Sequence, residues 1–525
     1  MSTTFKPLDQ AVFNRFIENR VGVYDGNDAI LFVEQELIFE LRFEQFLYVS
    51  GAIPSIKQLV FKKCRFIEKV DINDYQKAGD ITFQDCTFLK EVRVASLDNV
   101  IFLGINDLKD NLDVCTGDRN ITIENIRFKR FIFVRGDGNL NIRNINEGTD
   151  ELHGDIDLKN NFEIVIAEKV RASSLGIGYK SFIHELRINQ CIFQRLDMTT
   201  IMIGSLCSIS ASKLDQLLIY EPQKPQTTLE IKSQSKIVLF KYHLASFENL
   251  LCQESALEHF EVFGKNSASS MVKLESVPIR NLVFRDSRNK GLLSFSQVDI
   301  GVGGSLSIKA SDLGKTDFVQ CEFSCAAFEF LNSKLMEAFM AETNFPRHVV
   351  FSGKVNHLQE QLAFGQISTA YQKQGDAVRA LEYQAREIEA HYKTLIWFPD
   401  GIKSFSFTKF SLWLNKCSND FGRNWGQGLL FSFGLGLVLY YLLIISSKEF
   451  HIGWPSIDGR LVSAFFKFMN PLRFFETENL FKANGDKPYL NLEPVSYFID
   501  FIARIFVAYG YYQTIQAFRR YGRKY

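Results

Sequence analysis

At 525 residues the chain is too long for one ordinary hydrophobic core, so several domains or a repeat array are expected. A composition that is 46% hydrophobic, with 50 Phe and only 11 Pro, excludes extensive disorder. Lys plus Arg (60) equals Asp plus Glu (60), and zero net charge supplies no general drive toward nucleic acid, so no nucleic-acid partner is expected.

The opening Met-Ser-Thr-Thr-Phe-Lys runs into charged segments without an apolar core, so no secretory signal peptide is read there. From about residue 30 a worn repeat begins. LVFKKCRFIEKVDI (59–72) aligns without a gap on ITFQDCTFLKEVRV (81–94), pairing Phe61, Cys64, Phe66, Val70 and Ile72 with Phe83, Cys86, Phe88, Val92 and Val94. Fainter echoes follow at 121–128, 186–193 and 318–323. A period of about 22 residues suits one turn of a β-solenoid, in which each unit must stack on its neighbours to cover its apolar face. Between about 30 and 305 the pattern fits a general β-solenoid with irregular loops as well as stricter coils. A β-sandwich of similar strands is the alternative. The nine cysteines mostly occupy repeat positions rather than paired spacings, which reads as reduced, buried thiols in a cytosolic compartment.

Chemical motifs are weak in this region. Gly176-Ile177-Gly178-Tyr179-Lys180-Ser181 imitates a phosphate-binding loop but lacks the Gly-Lys-Ser adjacency and the spacer, and reads as a solenoid corner. Gly301, Gly303 and Gly304 read as a turn. Cys321 and Cys325 have no second ligand pair, and the eight histidines are scattered, so neither a metal nor a cofactor is expected. No paired carboxylates and no nucleophile with its base stand out, and the chain is read as a non-enzyme.

The clearest signal lies at 306–351. Leu313, Phe318, Phe323 and Phe328 recur every five residues, and the residue two before each is small (Ser311, Thr316, Cys321, Ala326). After one slip the beat resumes at Leu335, Met340 and Phe345. A period of five fits neither a helix nor a strand. It fits a coil that makes one flat face per five residues and stacks bulky side chains along its axis. This resembles the pentapeptide-repeat family, whose members form a four-sided right-handed β-helix. The resemblance implies a domain that stacks and recognises, with Leu313, Phe318, Phe323 and Phe328 as repeat core.

From about 355 the period becomes helical. Residues 364–392 resemble a single tetratricopeptide unit through Phe364-Gly365, Ala370-Tyr371, Gly375-Asp376, Ala380-Leu381, Tyr383 and Ala385. Gly375 suits a helix end and Asp376 a cap on the next helix. With one unit instead of three, the reading is a hairpin that caps the solenoid and links it onward.

Residues 425–447 (WGQGLLFSFGLGLVLYYLLIISS) carry no charge and, at about 1.5 Å per residue, suffice for a bilayer core of about 30 Å. Trp425 is expected at one interface, with Tyr440 and Tyr441 near the other. Gly428, Ser432 and Gly436 recur every four residues, the small stripe that lets membrane helices approach closely. A second span, 495–518, carries Asp500 and Arg504, each costing roughly 2.5–3.5 kcal/mol if unpaired at mid-bilayer. Spaced four apart, they share a helix face and suit a local ion pair. With Tyr497, Ala508 and Tyr511 they form a polar-aromatic stripe expected to face a partner helix or water. Lys403, Lys409, Lys416 and Arg423 precede the first span, and Arg519, Arg520, Arg523 and Lys524 follow the second. Both flanks and both termini are therefore expected on the cytosolic side, with 448–494 facing outward. Within that loop, 461–476 is an aromatic, weakly amphipathic stretch suited to lying in the interface or re-entering the membrane.

Residues 310–525 resemble the ends of bacterial membrane-bound pentapeptide-repeat proteins at 413–421, Asn470-Pro471-Leu472 and 512–519. The resemblance implies a multi-pass protein of the bacterial inner membrane and carries no settled reaction. The expected fold is mainly β. It has a solenoid at 1–351, a helical linker at 352–424 and a two-span hairpin with a basic tail at 425–525. The functional expectation is a membrane-anchored sensor or effector. A cytosolic solenoid would recognise an unknown protein or ligand and control a small oligomeric, pore-like membrane domain lined by Tyr497, Asp500, Arg504 and Tyr511. The alternative is a membrane-tethered protein-binding scaffold without transport. No potassium-filter sequence is present. A DNA-mimicking role, known in the pentapeptide family, would need an acidic surface that a neutral chain lacks.

Overall fold

The alternation of inward apolar and outward polar residues, broken every few residues by Asn, Asp, Gln or Gly, builds strands that cannot pair locally and must stack on the next coil. The computed structural model describes residues 6–8, 11, 29–33, 35–37, 41–42, 56–74, 78–96, 98–147, 152–177, 181–198, 202–220, 226–324, 326–335, 337–351, 354–399, 405–447, 459–473, 477–481 and 492–522. The chain divides into two compact units, Met1–Gly353 and Lys354–Tyr525.

The first unit is a parallel β-solenoid of about 12 turns. Among the described residues it holds two large parallel sheets, of 14 and 15 strands, between which the chain alternates, and a third sheet of 6 strands confined to the first coils. Phe61 registers with Phe83, and Val70 with Val92, so the repeats that align in sequence are the coils that stack in space. Rings one coil apart lie face to face: Phe61 and Phe83 at 5.3 Å, Phe83 and Phe102 at 5.0 Å, Phe66 and Phe88 at 4.7 Å.

Leu313, Phe318, Phe323 and Phe328 are all buried. They belong to one coil and point inward from its successive sides. Phe318 sits in the larger sheet and Phe328 in the 14-stranded one, with Phe323 beside the Glu322–Asn344 bridge and Leu313 beside the Asp312–Lys334 bridge. Stacking along the axis therefore runs between coils: Phe318 lies parallel to Phe295 at 5.3 Å and meets Phe323 edge-on at 5.7 Å.

The corners explain the cysteines. Lys63, Asp85, Gln190 and Gln320 take left-handed backbone conformations, freeing their N–H groups to donate to the next coil, as Lys63 does to Gln84 O at 2.8 Å. The residue after each corner turns inward, where only a small side chain fits. The thiols of Cys86, Cys191 and Cys321 donate to carbonyls of the preceding coil, at Phe61, Ala167 and Phe295, over 3.3–3.4 Å. Burial pushes the Cys191 and Cys252 thiols up to about 12 and Cys321 to about 11. None of the described cysteines forms a disulfide; Cys325 lies outside the described residues. Gly176 and Ile177 close a strand, while 178–180 are likewise outside. Gly301 and Gly304 close the expected turn, the Gly304 N–H donating to Gly301 O at 3.0 Å.

The second unit is helical. An antiparallel pair, α1 (His357–Lys373) and α2 (Ala377–Thr394), turns at Gly375 (φ +81°), and Asp376 caps α2 by accepting from Arg379 N. Tyr371 and Tyr383 stack between them at 5.7 Å. Then come α3 (Phe407–Asn419), α4 (Trp425–Ile445), α5 (Gly459–Phe468), a 3₁₀ turn (Thr477–Phe481) and α6 (Pro494–Gly522). Two membrane spans are expected from the sequence. Among the described residues α4 alone is long and apolar enough to cross a membrane. The charges of Asp500 and Arg504 are what dilute the apolar character of α6.

Candidate functional site

The functional candidates of the second unit converge on the packing of α4, α5 and α6. Asn424 starts α4 by accepting from Gln427 N at 3.1 Å. Along α4 the buried residues are Gly428, Ser432, Gly436 and Tyr440, then Leu443 and Ile444, so the four-residue stripe is the packed face. It runs antiparallel to α6. Gly428 meets Thr514, Ser432 meets Gly510, and Gly436 meets Val507 together with Met469. A Cβ on Gly510 would meet the Ser432 hydroxyl, Cβ and Cα, so close approach of the helices requires glycine there, and one on Gly436 would push the Met469 sulfur aside. Both ends of the pair are tied. Trp425 meets Phe518 edge-on at 6.2 Å at one end, and the Ser446 and Ser496 hydroxyls lie 2.7 Å apart at the other.

The opposite faces are bare. Leu430 (76% exposed), Phe433, Leu437, Val438 and Leu442 on α4 are exposed, as are Phe498, Phe501, Ile505 and Ile515 on α6. A helix at the centre of a soluble core would be covered all round.

Residues 461–469, the start of the aromatic stretch expected to lie in the interface or re-enter the membrane, pack alongside the middle of α4: Phe465 on Phe433 and Tyr440, and Met469 on Gly436. Ala464, Phe468, Leu480 and Phe481 join the same core with Ala503 and Val507. Tyr440, expected near one interface, is buried, and its hydroxyl donates to Leu461 O at 2.7 Å.

Within this core sits a charged cluster. Asp500 is 2% exposed. Its Oδ2 accepts from Arg504 Nε at 3.0 Å and from the Thr477 hydroxyl at 2.9 Å, while Oδ1 faces the Arg473 guanidinium. Arg473 has no exposed side-chain surface; it donates to Phe468 O at 2.6 Å and lies 5.1 Å from the Phe468 ring centroid. Arg504 also donates to Arg473 O at 3.4 Å. The carboxylate thus joins α6 to Arg473 and Thr477, and Arg504, on α6 itself, adds a bond to Arg473 O.

The expected stripe does not act as one face. The i,i+4 pairing of Asp500 with Arg504 is present, and the carboxylate is enclosed by its own chain. Tyr497 is exposed, Arg504 keeps 32% of its side chain exposed, and Tyr511 is half-buried. Tyr511 and Ala508 line an open groove of 680 Å³ with Phe466, Leu472 and Tyr512. Sequence reasoning missed Arg473, Thr477 and Gly510; Arg473, one of two cations with Lys467 in the aromatic run 465–475, was the available signal for a buried partner.

On the α3 side, Glu389 of α2 takes Arg423 at 2.9 Å, Lys393 at 3.3 Å and Lys416 at 3.8 Å. Burial alone would raise Glu389, but the Arg423 hydrogen bond and the Lys393 charge outweigh it and hold the carboxyl below its ordinary value. Asn419 donates to Gln513 Oε1 at 2.7 Å, binding α3 to α6. Lys403 and the side chains of 520–525 lie outside the described residues.

Among the described residues no group of three or more His, Cys, Asp or Glu is placed to hold a metal. No protein-family model, curated protein or solved structure matches the chain.

Proposed function

We propose that the chain is a membrane-embedded recognition scaffold: α4 and α6 cross a bilayer as a pair, and the β-solenoid binds a protein partner on the cytosolic side. The observation that carries this reading is the antiparallel match of α6 to the whole length of α4, from Trp425–Phe518 to Ser446–Ser496. If α4 spans, α6 spans with it, because the same residues that pack the pair leave the outer faces apolar and bare. The Asp500 carboxylate that counts against α6 is paired inside the protomer by Arg504 and Arg473, which lowers its cost in lipid, and the cluster's one surplus positive charge falls to the partly exposed Arg504. The basic residues at 416–423 and Arg519 lie at the same end of the pair, which supports a cytosolic placement of both flanks. Pentapeptide-like coils and a bacterial inner-membrane location belong to this proposal and rest on the five-residue ladder and the C-terminal resemblance. The solenoid's outer charges pair across coils, as Arg93 and Arg135 do on Asp113, which supports a protein partner over nucleic acid.

A second reading, an oligomeric pore-like effector, is favoured by one observation: Arg504 keeps a third of its side chain exposed beside exposed Tyr497. Full-length protein reconstituted in liposomes separates the two. The scaffold reading expects resistance to alkaline carbonate extraction and labelling of a cysteine at position 486 only from outside, with no ion flux. Carbonate release overturns the membrane placement. Flux whose ion preference changes in Arg504→Glu overturns the scaffold in favour of the pore.

A further inference from the structure

Ahead of the span lies an aromatic surface that neither helix packing nor the charged cluster uses. Trp397, Phe398, Phe405, Phe407, Phe410 and Trp413 form a connected set of rings, with centroids 5.3–6.1 Å apart along the chain of contacts from Trp397 through Phe405 to Trp413. Four of them are exposed: Phe407 at 76%, Phe398 at 47%, Phe405 at 41% and Trp413 at 39%. On α3, Phe407, Phe410, Trp413 and Leu414 fall within an arc of about 120°, so the helix offers one apolar face.

That face is fixed at the mouth of the membrane pair. Gln427, in the first turn of α4, donates to Lys416 O at 3.1 Å and Cys417 O at 3.0 Å, while Asn419 is held by Gln513. With about 1.5 Å of rise per residue, all of α3 lies within roughly 20 Å of that turn. Trp425 (45% exposed) and Phe518 (60%) add exposed rings at the neighbouring ends of α4 and α6. We propose that α3 and the rings around Phe405 form an interfacial foot, seated in the headgroup and upper acyl zone of the leaflet that α4 enters. The occupant is the bilayer interface itself, because the patch is carried by a helix tied to the first turn of the span and is built of rings suited to that zone. The described cations on and next to α3 already have partners in the chain: Lys409 lies 5.2 Å from the Tyr392 ring and 5.4 Å from that of Trp397 in the cluster itself, while Lys416 and Arg423 face Glu389. Seating is therefore driven by the rings and needs no anionic lipid. This inference rests on the membrane reading of α4.

The test uses the full chain in nanodiscs of phosphatidylcholine brominated near the headgroup end of its chains. Two single-tryptophan forms are compared. One keeps Trp413 (Trp397→Phe, Trp425→Phe, Trp454→Phe); the other keeps Trp425. Both emissions should fall by about half in brominated discs, equally with and without phosphatidylglycerol. Quenching of Trp425 but not Trp413 overturns the foot and leaves the span standing. Quenching of neither overturns both. A Trp413 shielded from aqueous acrylamide yet unquenched by lipid means that protein covers the patch, a second copy included, and also overturns the foot. Phe407→Glu, at a site exposed enough to leave thermal unfolding unchanged, should cut Trp413 quenching by about half; unchanged quenching would show that the ring cluster is not what inserts.

Discussion

Replacing Arg473 by Met removes one guanidinium from a carboxylate that is 2% exposed. Met fills most of the same volume, so the change reports charge and hydrogen bonding more than packing. Asp500 then keeps Arg504 and the Thr477 hydroxyl on Oδ2 but loses the partner facing Oδ1, and Phe468 O loses its donor. Breaking a buried ion pair costs about 3–5 kcal/mol when the remaining charge is left alone. Because Arg504 still faces Asp500, the lower end, about 3 kcal/mol, is expected. For a unit of this size that is a fall of about 6–12 °C in the midpoint measured by thermal unfolding in detergent. Arg504→Met should cost less, since its guanidinium reaches solvent or headgroups. Adding Asp500→Asn to Arg473→Met should cost less than the sum of the two single changes, because both sides of the Arg473–Asp500 contact are then gone and the one charge left, on Arg504, is partly exposed, giving a coupling above additivity error. If Arg473→Met leaves the midpoint unchanged, or if the two changes simply add, the cluster does not fasten Arg473 to α6 and the reasoning fails.

Phe318→Ala, at a ring stacked on Phe295 and touching Phe323 and Phe345, should destabilise the solenoid by about 3–5 kcal/mol in denaturant unfolding. Phe323→Ala should fall in the same range, and a near-zero shift for either would refute axial stacking as the source of stability. Cys191, Cys252 and Cys321, with thiols raised to about 11–12, should stay unmodified by maleimide at pH 8 in the native protein and react fully once it is denatured. Equal native and denatured labelling would contradict their burial. Glu389→Gln should lower the midpoint at neutral pH. The folded value of Glu389 lies below its ordinary 4.5, so its contribution is present above that pH and lost as pH falls through the folded value. The gap between wild type and variant should therefore close in acid, and a gap independent of pH would show that the carboxylate's charge is not what holds Arg423 and Lys416.

How much of this was legible depends on sequence distance. The 22-residue echo from Phe61 to Phe83 could be read because one coil repeats the same corner and the same ring, and coil stacking converts that period directly into register. Elsewhere the echo faded because a corner needs a conformation, not a residue type: Lys63, Asp85, Gln190, Ala211 and Ser276 all adopt it. The five-residue ladder announced inward positions, yet its rungs occupy successive sides of one coil. The axial neighbour of Phe318 is Phe295, which no five-residue count reaches. In the helical unit, Gly428, Ser432 and Gly436 and the Asp500–Arg504 pair were visible because helix geometry fixes neighbours four apart. Arg473 was not, since its meeting with Asp500 follows from α5 folding back beside the middle of α4, a tertiary fact with no local period. That one unread residue changes the functional argument. A lone intramembrane carboxylate and arginine invite a pore, because lipid penalises charge and water relieves it. With Arg473 and Thr477 closing around Asp500, the chain relieves the carboxylate itself, and the charge becomes a reason for residues 459–473 and 477–481 to stay folded against α6. What remains for a pore is Arg504 alone, which is why Arg504→Glu, and not a change at Asp500, is the substitution that discriminates the two functions.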